Sequence, residues 1–216
     1  MQEQPVHPYN YNGNNHGGIE RINGAWYIFY HRQTNRTMFS RQGYAEKITI
    51  AEDGSIKQVE MTSCGLNGKP LEGKGEYPAH IVCNLFGKHK PAVSHPLAMG
   101  NRHPYLTQDG ADYDPDSNGT PPVQYITNGR NGITAVFKYF SFRGLAKIAV
   151  QVRGKASGIF KVSLSARGET AGEIPIGPSK DWKTFDGEVR VPDGEHSLCF
   201  TFQGKGKVDF LSFSLL

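Results

Sequence analysis

The sequence has little of what builds helices and membrane spans. Its 216 residues contain no stretch approaching the roughly 20 consecutive apolar residues of a transmembrane helix. It also lacks runs rich in alanine, leucine and glutamate, which a helical protein needs. Glycine and proline are plentiful instead, with 26 and 13 residues, and they favour many turns between short strands. These shortages argue against a helical bundle and a membrane span, and they predict an all-β fold.

Cysteine is scarce as well. The three cysteines, Cys64, Cys83 and Cys199, form no Cys-x-x-Cys pair and no zinc-type spacing. Cys199 lies in the alternating run Ser197–Phe202, so we expect it to be buried in a strand. Cys64 and Cys83 could form a disulfide, but an odd total leaves at least one thiol free.

A strong excess of one charge is also missing. The formal net charge is +4, and the lysines are scattered along the chain rather than gathered into a stripe. We interpret them as solvated residues at strand edges, where lysine discourages edge-to-edge pairing. Nucleic acid is therefore not an expected partner.

The first half of the chain predicts one sheet. Runs of β-forming residues bounded by turn residues predict four strands: Gly18–Ile22, Ala25–His31, Met38–Ile50 and Ser55–Met61. Asn23-Gly24 is typical of a tight hairpin turn, because both residues tolerate positive φ. The run Ala25–His31 is apolar on both faces, which indicates a strand covered on both sides. Four such strands correspond to about one blade of a β-propeller.

The second half predicts a β-sandwich. Strands of five to ten residues recur at short intervals with glycine or proline turns. They are Val123–Thr127, Thr134–Phe142, Lys147–Arg153, Gly158–Ala166, Gly172–Ile176, Trp182–Val191, His196–Gln203 and Lys207–Leu215. Glycines and prolines interrupt the pattern between the two halves, where only His80–Leu85 resembles a strand. We therefore divide the chain into residues 1–62, a connector at 63–103 and a sandwich at 104–216.

Three motifs, in this order, carry a family resemblance: Asn14-Asn15-His16-Gly17, the run Trp26–Arg32, and Phe39-Ser40-Arg41-Gln42. Together they resemble the final blade of glycoside hydrolase family 43, whose five-bladed propellers act on polysaccharides containing arabinose and xylose. Residues 104–216 are similar to a family 6 carbohydrate-binding module, a jelly-roll sandwich. That similarity is carried by Gln124–Phe142, Ser179–Phe185 and Lys205–Leu215.

The propeller resemblance implies roles for two residues. His16 would lie on the propeller axis beside a bound calcium ion or water, although it could instead be a turn histidine bonded to backbone. Arg41 would point into the sugar subsite, where its planar fork of donors suits two hydroxyls or a carboxylate, or it could form a surface salt bridge. His31 and Arg32 are expected at the rim of their strand.

The module resemblance implies a structural calcium and a sugar surface. Asp209 matches the C-terminal acidic position of such modules and Asp109 is its N-terminal counterpart, so the pair would hold calcium, unless Asp209 only caps a turn. Tyr125 and Tyr139 are candidate platforms for sugar stacking, whereas Trp182 is expected to pack in the core. The module departs from its family at two places. Gly132-Ile133-Thr134 stands where a tryptophan is usual, and Gly204-Lys205-Gly206-Lys207 stands where an asparagine is expected.

The catalytic residues of the family have no counterpart here. Its members invert at the anomeric carbon with an acid and a base from earlier blades, and only fifteen residues precede His16. We therefore assign no catalytic residue, and whether this chain is itself an enzyme stays open. We expect either a fragment of a longer enzyme or a chain whose other blades are a separate polypeptide.

These expectations lead to one predicted function and two alternatives. The resemblance implies that the chain is the C-terminal portion of a glycosidase that hydrolyses a pentose polysaccharide of plant type. Its parent is expected to be secreted or periplasmic, although no signal peptide is recognised in residues 1–15. The alternatives are a carbohydrate-binding protein without catalysis and a structural β-sandwich that binds another protein.

Overall fold

The computed structural model describes residues 16–36, 40–88, 103–110 and 120–216. These residues form fifteen strands and two short 3₁₀ turns. The all-β prediction is confirmed. Within the described ranges, no helix has both the length and the apolar character needed to cross a membrane.

The first sheet has three antiparallel strands in the order β1-β2-β3, which are Gly18–Ile22, Ala25–Gln33 and Arg41–Ile48. The predicted hairpin turn is present, with φ of 49° at Asn23 and 83° at Gly24. The predicted fourth strand, Ser55–Met61, is wrong, because only one bridge, Ile50 to Ile56, forms there. The chain leaves the sheet at this point, and Glu60 forms an ion pair with Lys138 of the sandwich.

Two sheets form the sandwich. Three strands of the connector precede its main strands: β4 (Leu71–Glu72), β5 (Gly75–Pro78) and β6 (Asn84–Phe86). One sheet has the order β13-β10-β15-β8-β7, with β5 added beside β15, and the other has the order β12-β11-β14-β9-β4, with β6 added beside β9. The main strands are β7 (Tyr105–Asp109), β8 (Val123–Gly129), β9 (Thr134–Phe142), β10 (Lys147–Gly154), β11 (Ser157–Ser163), β12 (Thr170–Ile176), β13 (Ser179–Glu188), β14 (Gly194–Lys205) and β15 (Val208–Leu215).

The connector therefore takes part in the sandwich. Strand β4 runs parallel to β9, while β6 pairs with the same strand in the antiparallel sense. Strand β5 pairs with β15, so that Tyr77 lies opposite Phe213. Residues expected only to link two units add strands to both sheets.

Phenylalanine dominates the core between the two sheets. Phe137, Phe200, Phe210 and Phe213 are all at most 1% exposed. The ring centroids of Phe200 and Phe213 are 5.2 Å apart, and those of Phe137 and Phe213 are 4.7 Å apart. Alternation along the strands turns these side chains inward, and their burial removes a large apolar area from water.

The cysteines stay separate. Cys199 is fully buried in β14, as predicted. All three thiols are free, so Cys64 and Cys83 do not form the disulfide that the sequence left open. Burial raises the pKa of the Cys83 thiol to about 12, and its Sγ lies 3.0 Å from the carbonyl oxygen of Val136. A thiol this buried and this weakly acidic is chemically inert.

Candidate functional site

A buried arginine fastens the first sheet to the connector. Arg32, expected at the strand rim, is instead only 5% exposed. Its Nη1 donates to the carbonyl of Val82 at 2.8 Å and its Nη2 to that of Cys83 at 2.6 Å. The guanidinium carbon lies 4.5 Å from the centre of the Tyr44 ring, a cation–π contact. The prediction for Arg32 was wrong because β2 continues to Gln33 and is covered there by the connector.

A buried carboxylate lies on the neighbouring strand. Glu46 of β3 is 4% exposed and accepts three hydrogen bonds. Its donors are the backbone N–H of Thr62 at 2.7 Å, the hydroxyl of Thr62 at 2.6 Å and the hydroxyl of Tyr30 at 3.1 Å. Burial raises the pKa of Glu46, and these hydrogen bonds oppose that rise. Glu46 ties the sheet to Thr62, the residue that precedes the connector.

A cleft of about 450 Å³ opens between the first sheet and the connector. Its walls include Phe29 and Tyr44 from the sheet and Leu66 and His80 from the connector. Burial lowers the pKa of His80, which favours its neutral form. The lining is mostly apolar, so the cleft suits a packing partner or the flat face of a ring better than a charged ligand.

The propeller-type candidates lie at the margins of this sheet. His16 is exposed, and its ring centroid is 4.8 Å from that of His31. Arg41 begins β3, is exposed and forms no ion pair with any residue in the described ranges. Asn14, Asn15 and Phe39 of the family motifs lie outside the described residues. The structure does not bring His16 and Arg41 into one bonded cluster.

Three candidate residues that the module resemblance implied, Asp109, Asp209 and Tyr125, lie in one cluster. Asp109, at the end of β7, and Asp209, on β15, both bind the guanidinium of Arg153. Tyr125 donates its hydroxyl to Asp109 at 2.9 Å and is only 6% exposed. The Arg153 guanidinium covers its ring at 4.7 Å from the centroid. Tyr125 therefore does not offer the open face that sugar stacking requires.

Electrostatics in this cluster follow from Arg153. Its hydrogen bonds hold the pKa of Asp109 below its usual value. Partial burial, followed by the hydrogen bond to Asp109, raises the pKa of Tyr125 to about 12. Asp109 is therefore ionised and Tyr125 is protonated at neutral pH.

Of two further aromatic residues, Trp182 differs from its predicted position, and the role predicted for Tyr139 stays a prediction. Trp182 was expected in the core but lies half-buried on β13, outside the phenylalanine core, with its ring 4.2 Å from the Arg153 guanidinium carbon. Tyr139 is half-buried, and its hydroxyl donates to Glu60 at 2.8 Å. Burial, followed by this hydrogen bond, raises the pKa of Tyr139 to about 12. Tyr139 is thus a partly exposed residue beside Glu60.

Three similarities to known proteins bear on this arrangement. Over 210 residues the chain is 49% identical to the xylosidase/arabinosidase of Thermoclostridium stercorarium, taking in 96% of this chain and 43% of that enzyme. A glycoside hydrolase family 43 arabinoxylan arabinofuranohydrolase from Bacillus subtilis, in complex with cellotetraose, has a similar structure. Its TM-score is 0.58 at 21% identity, covering 94% of this chain and 41% of that one. A family 6 carbohydrate-binding module from Clostridium cellulolyticum, in complex with xylose, matches 67% of this chain and 98% of its own, with a TM-score of 0.50 and 16% identity.

The resemblance to family 43 glycosidases with a family 6 module is confirmed. No protein-family model matches the chain. The chain spans less than half the length of the curated relatives that it matches. The structural similarity to the family 6 module, at this level of identity, concerns the fold.

The roles of two arginines, Arg32 and Arg153, were not predicted from the sequence. Arg32 follows six apolar or aromatic residues, and that continuity was a signal that the strand remains buried through position 32. Arg153 ends a strand, which is also the usual position of a solvated charge. Its partners lie 44 and 56 residues away along the chain, so no local pattern could indicate them.

Proposed function

We propose that this chain is the C-terminal part of a glycosidase that hydrolyses arabinose- or xylose-containing polysaccharides. It supplies one sector of a propeller, with His16 on the axis beside a calcium ion or water and Arg41 in the sugar subsite, together with the accessory sandwich. One observation carries this proposal: 49% identity to a xylosidase/arabinosidase extends over 96% of the chain and takes in only 43% of that enzyme. As part of such an enzyme, the chain would act in a secreted or periplasmic protein.

The contacts of three carboxylates in and after the first sheet support the proposal that the catalytic acid and base lie outside this chain. An inverting glycosidase needs an acid and a base about 6.5–9.5 Å apart, with room between them for the sugar and a water. Glu46 is buried under three hydrogen bonds and Glu60 is held by Lys138. Asp53 caps a turn by accepting from the backbone N–H of Ser55. Each of these groups already has a structural role.

Exposed apolar side chains on the first sheet support the proposal that further propeller blades pack against it. Ile19 is 44% exposed and Trp26 is 37% exposed, on adjacent strands of the sheet that residues 18–48 form in the described part of the chain. Exposed apolar side chains on neighbouring strands are typical of an interface. We propose that the remaining propeller blades cover this side, whether in the same polypeptide or in a separate one.

A complementation assay tests the proposal. The purified chain should not cleave nitrophenyl arabinofuranoside or nitrophenyl xyloside. When it is co-expressed with the part of the Thermoclostridium stercorarium enzyme that it does not match, hydrolysis should appear. Arg41→Ala in the complemented enzyme should lower kcat/KM at least tenfold, because two hydroxyl contacts are lost, whereas exposed Lys57→Ala should not. Ordinary enzymatic turnover by the chain alone would overturn the proposal.

A second candidate is a carbohydrate-binding protein without catalysis. It is favoured by the fold of the sandwich, which matches nearly the full length of a module solved with xylose. Affinity electrophoresis in gels containing xylan or arabinan separates the candidates. Retardation of the chain, together with no hydrolysis after complementation, would favour binding alone. An absence of both would favour a structural sandwich.

A further inference from the structure

One guanidinium on a sandwich sheet contacts side chains from the four other strands in the main path of that sheet. Arg153 lies at the end of β10, opposite Asp209 on β15. Its Nε is 3.3 Å from Oδ2 of Asp209. Its Nη1 and Nη2 reach the two oxygens of Asp109 on β7, at 2.8 and 3.1 Å. This bidentate pair spans the two strands that lie between β10 and β7.

Aromatic side chains complete the contact. Nη2 also donates to the hydroxyl of Tyr125 on β8 at 2.8 Å, and the same group lies over the ring of Trp182 on β13. The rings of Tyr125 and Trp182 meet edge to face, with centroids 5.2 Å apart. Arg153 therefore has an ionic, hydrogen-bonded or cation–π partner on each of the four other strands of this path.

The carboxylate oxygens at this place are all engaged. Both oxygens of Asp109 and Oδ2 of Asp209 accept from Arg153. The remaining oxygen, Oδ1 of Asp209, accepts from the hydroxyl of Thr127 at 2.6 Å. No carboxylate oxygen of the pair is left without a donor.

These residues do not fit the calcium ion expected from the sequence. Calcium takes six to eight oxygen ligands at about 2.3–2.6 Å. Here a positive group already lies between the two carboxylates and would repel a second cation. Within the described ranges, no three or more His, Cys, Asp or Glu side chains are placed to hold a metal ion.

We propose that Arg153 takes the place of a structural calcium at Asp109 and Asp209. The guanidinium joins the first strand of the module, β7, to its last strand, β15, and closes this end of the sheet without a metal. The module is thus independent of calcium at this site.

Thermal unfolding of the purified chain, in EGTA and in excess calcium, tests the assignment. The midpoint of the wild-type protein should be the same in both. Arg153→Met should lower the midpoint by several degrees, because two carboxylates lose their common partner. Lys147→Met is the matched control: it lies on the same strand and forms one ion pair, to Asp186, in which both side chains are about half exposed. Its midpoint should change by about one degree or less.

Arg153→Lys separates charge from geometry. A single ammonium cannot make the bidentate and stacked contacts together, so this variant should recover only part of the loss. Two outcomes would overturn the assignment. One is a calcium-induced rise of the wild-type midpoint that is lost in Asp209→Asn, and the other is a loss in Arg153→Met no larger than that in Lys147→Met.

A direct measurement covers the case in which Arg153→Met does not fold. Terbium binds at calcium sites and emits when a nearby tryptophan is excited, and Trp182 adjoins this cluster. The wild-type chain should show no terbium emission that depends on Asp209. Emission that disappears in Asp209→Asn would place a metal at the carboxylates and refute the proposal.

Discussion

The sandwich and the three-stranded sheet are stabilised in different ways. The sandwich buries its phenylalanines between two sheets of six strands each. The described residues of the first sheet form no comparable apolar layer of their own, and Trp26 remains partly exposed. It is held instead by buried polar groups, chiefly Arg32, whose partners belong to the connector, and Glu46, which binds Thr62 just before the connector. One region forms its own core, and the other depends on a neighbour.

This difference concerns cooperativity. Apolar burial is non-directional and tolerates small shifts, whereas a buried ionic group is stable only while its hydrogen bonds are intact. If Val82 and Cys83 move away, Arg32 is left as an uncompensated charge. We therefore expect the first sheet to detach as a unit before the sandwich unfolds.

The largest expected effect comes from the sandwich core. Phe200→Ala removes a fully buried ring that contacts four other phenylalanines and should cost about 3–5 kcal/mol of unfolding free energy. The matched change in the sheet is Trp26→Ala, at a partly exposed aromatic residue, which should cost about 1 kcal/mol or less. Urea unfolding of both variants measures the contrast. A larger loss for Trp26→Ala would remove the distinction between the regions.

The second-largest expected effect concerns Arg32, which fastens the first sheet to the connector. Arg32→Met should lower hydrogen-exchange protection of the β2 and β3 amides by about ten- to a hundredfold, because hydrogen bonds from a charged donor contribute about 1.5–3 kcal/mol. Amides of β14 should keep their protection. Arg41→Met, an exposed arginine on the same sheet, serves as the control. Equal losses in β14 would mean that the sheet and the sandwich unfold together.

The smallest effect depends on pH. Burial raises the pKa of Glu46 above its ordinary 4.5, so the folded sheet binds a proton more tightly than the unfolded one. Its contribution to stability is complete below the ordinary pKa and is lost as the pH rises through the raised value. Protection of the β2 and β3 amides, corrected for intrinsic exchange, should fall over that interval. Glu46→Gln carries no charge at this position and should show a flatter profile. An unchanged pH dependence in that variant would assign the effect to another group.

Local patterns predicted the long strands well. Thr134–Phe142 and Gly18–Ile22 were predicted with the bounds that the structure shows, because alternation and turn residues are local signals. Strands β4, β5 and β6 were missed or misplaced. They have two to four residues, and β5 pairs with β15, a strand more than 120 residues later. Runs this short have too few residues to show a period.

Predicting the candidate sites was harder for a related reason. Asp109 and Asp209 were paired by family resemblance, and the structure brings both to one cation. That cation is the guanidinium of Arg153. In the sequence, Arg153 lies near the end of a strand, where a charged residue is ordinary. Tyr125 has the aromatic ring that sugar stacking uses, but the guanidinium of Arg153 lies over that ring and covers it. Partner identity is a tertiary property and is not encoded in spacing.

The way the connector is threaded has a practical consequence. Strands β4 and β6 supply backbone partners to β9, and β5 supplies them to β15. A recombinant sandwich begun at Pro104 would leave the backbone amides and carbonyls along these two strands without their ladder partners, and would uncover the rings of Phe140 and Phe213 that Tyr77 covers. A protein engineer who wishes to transplant this module should therefore cut upstream of Leu71, so that the inserted piece arrives with both of its sheets complete.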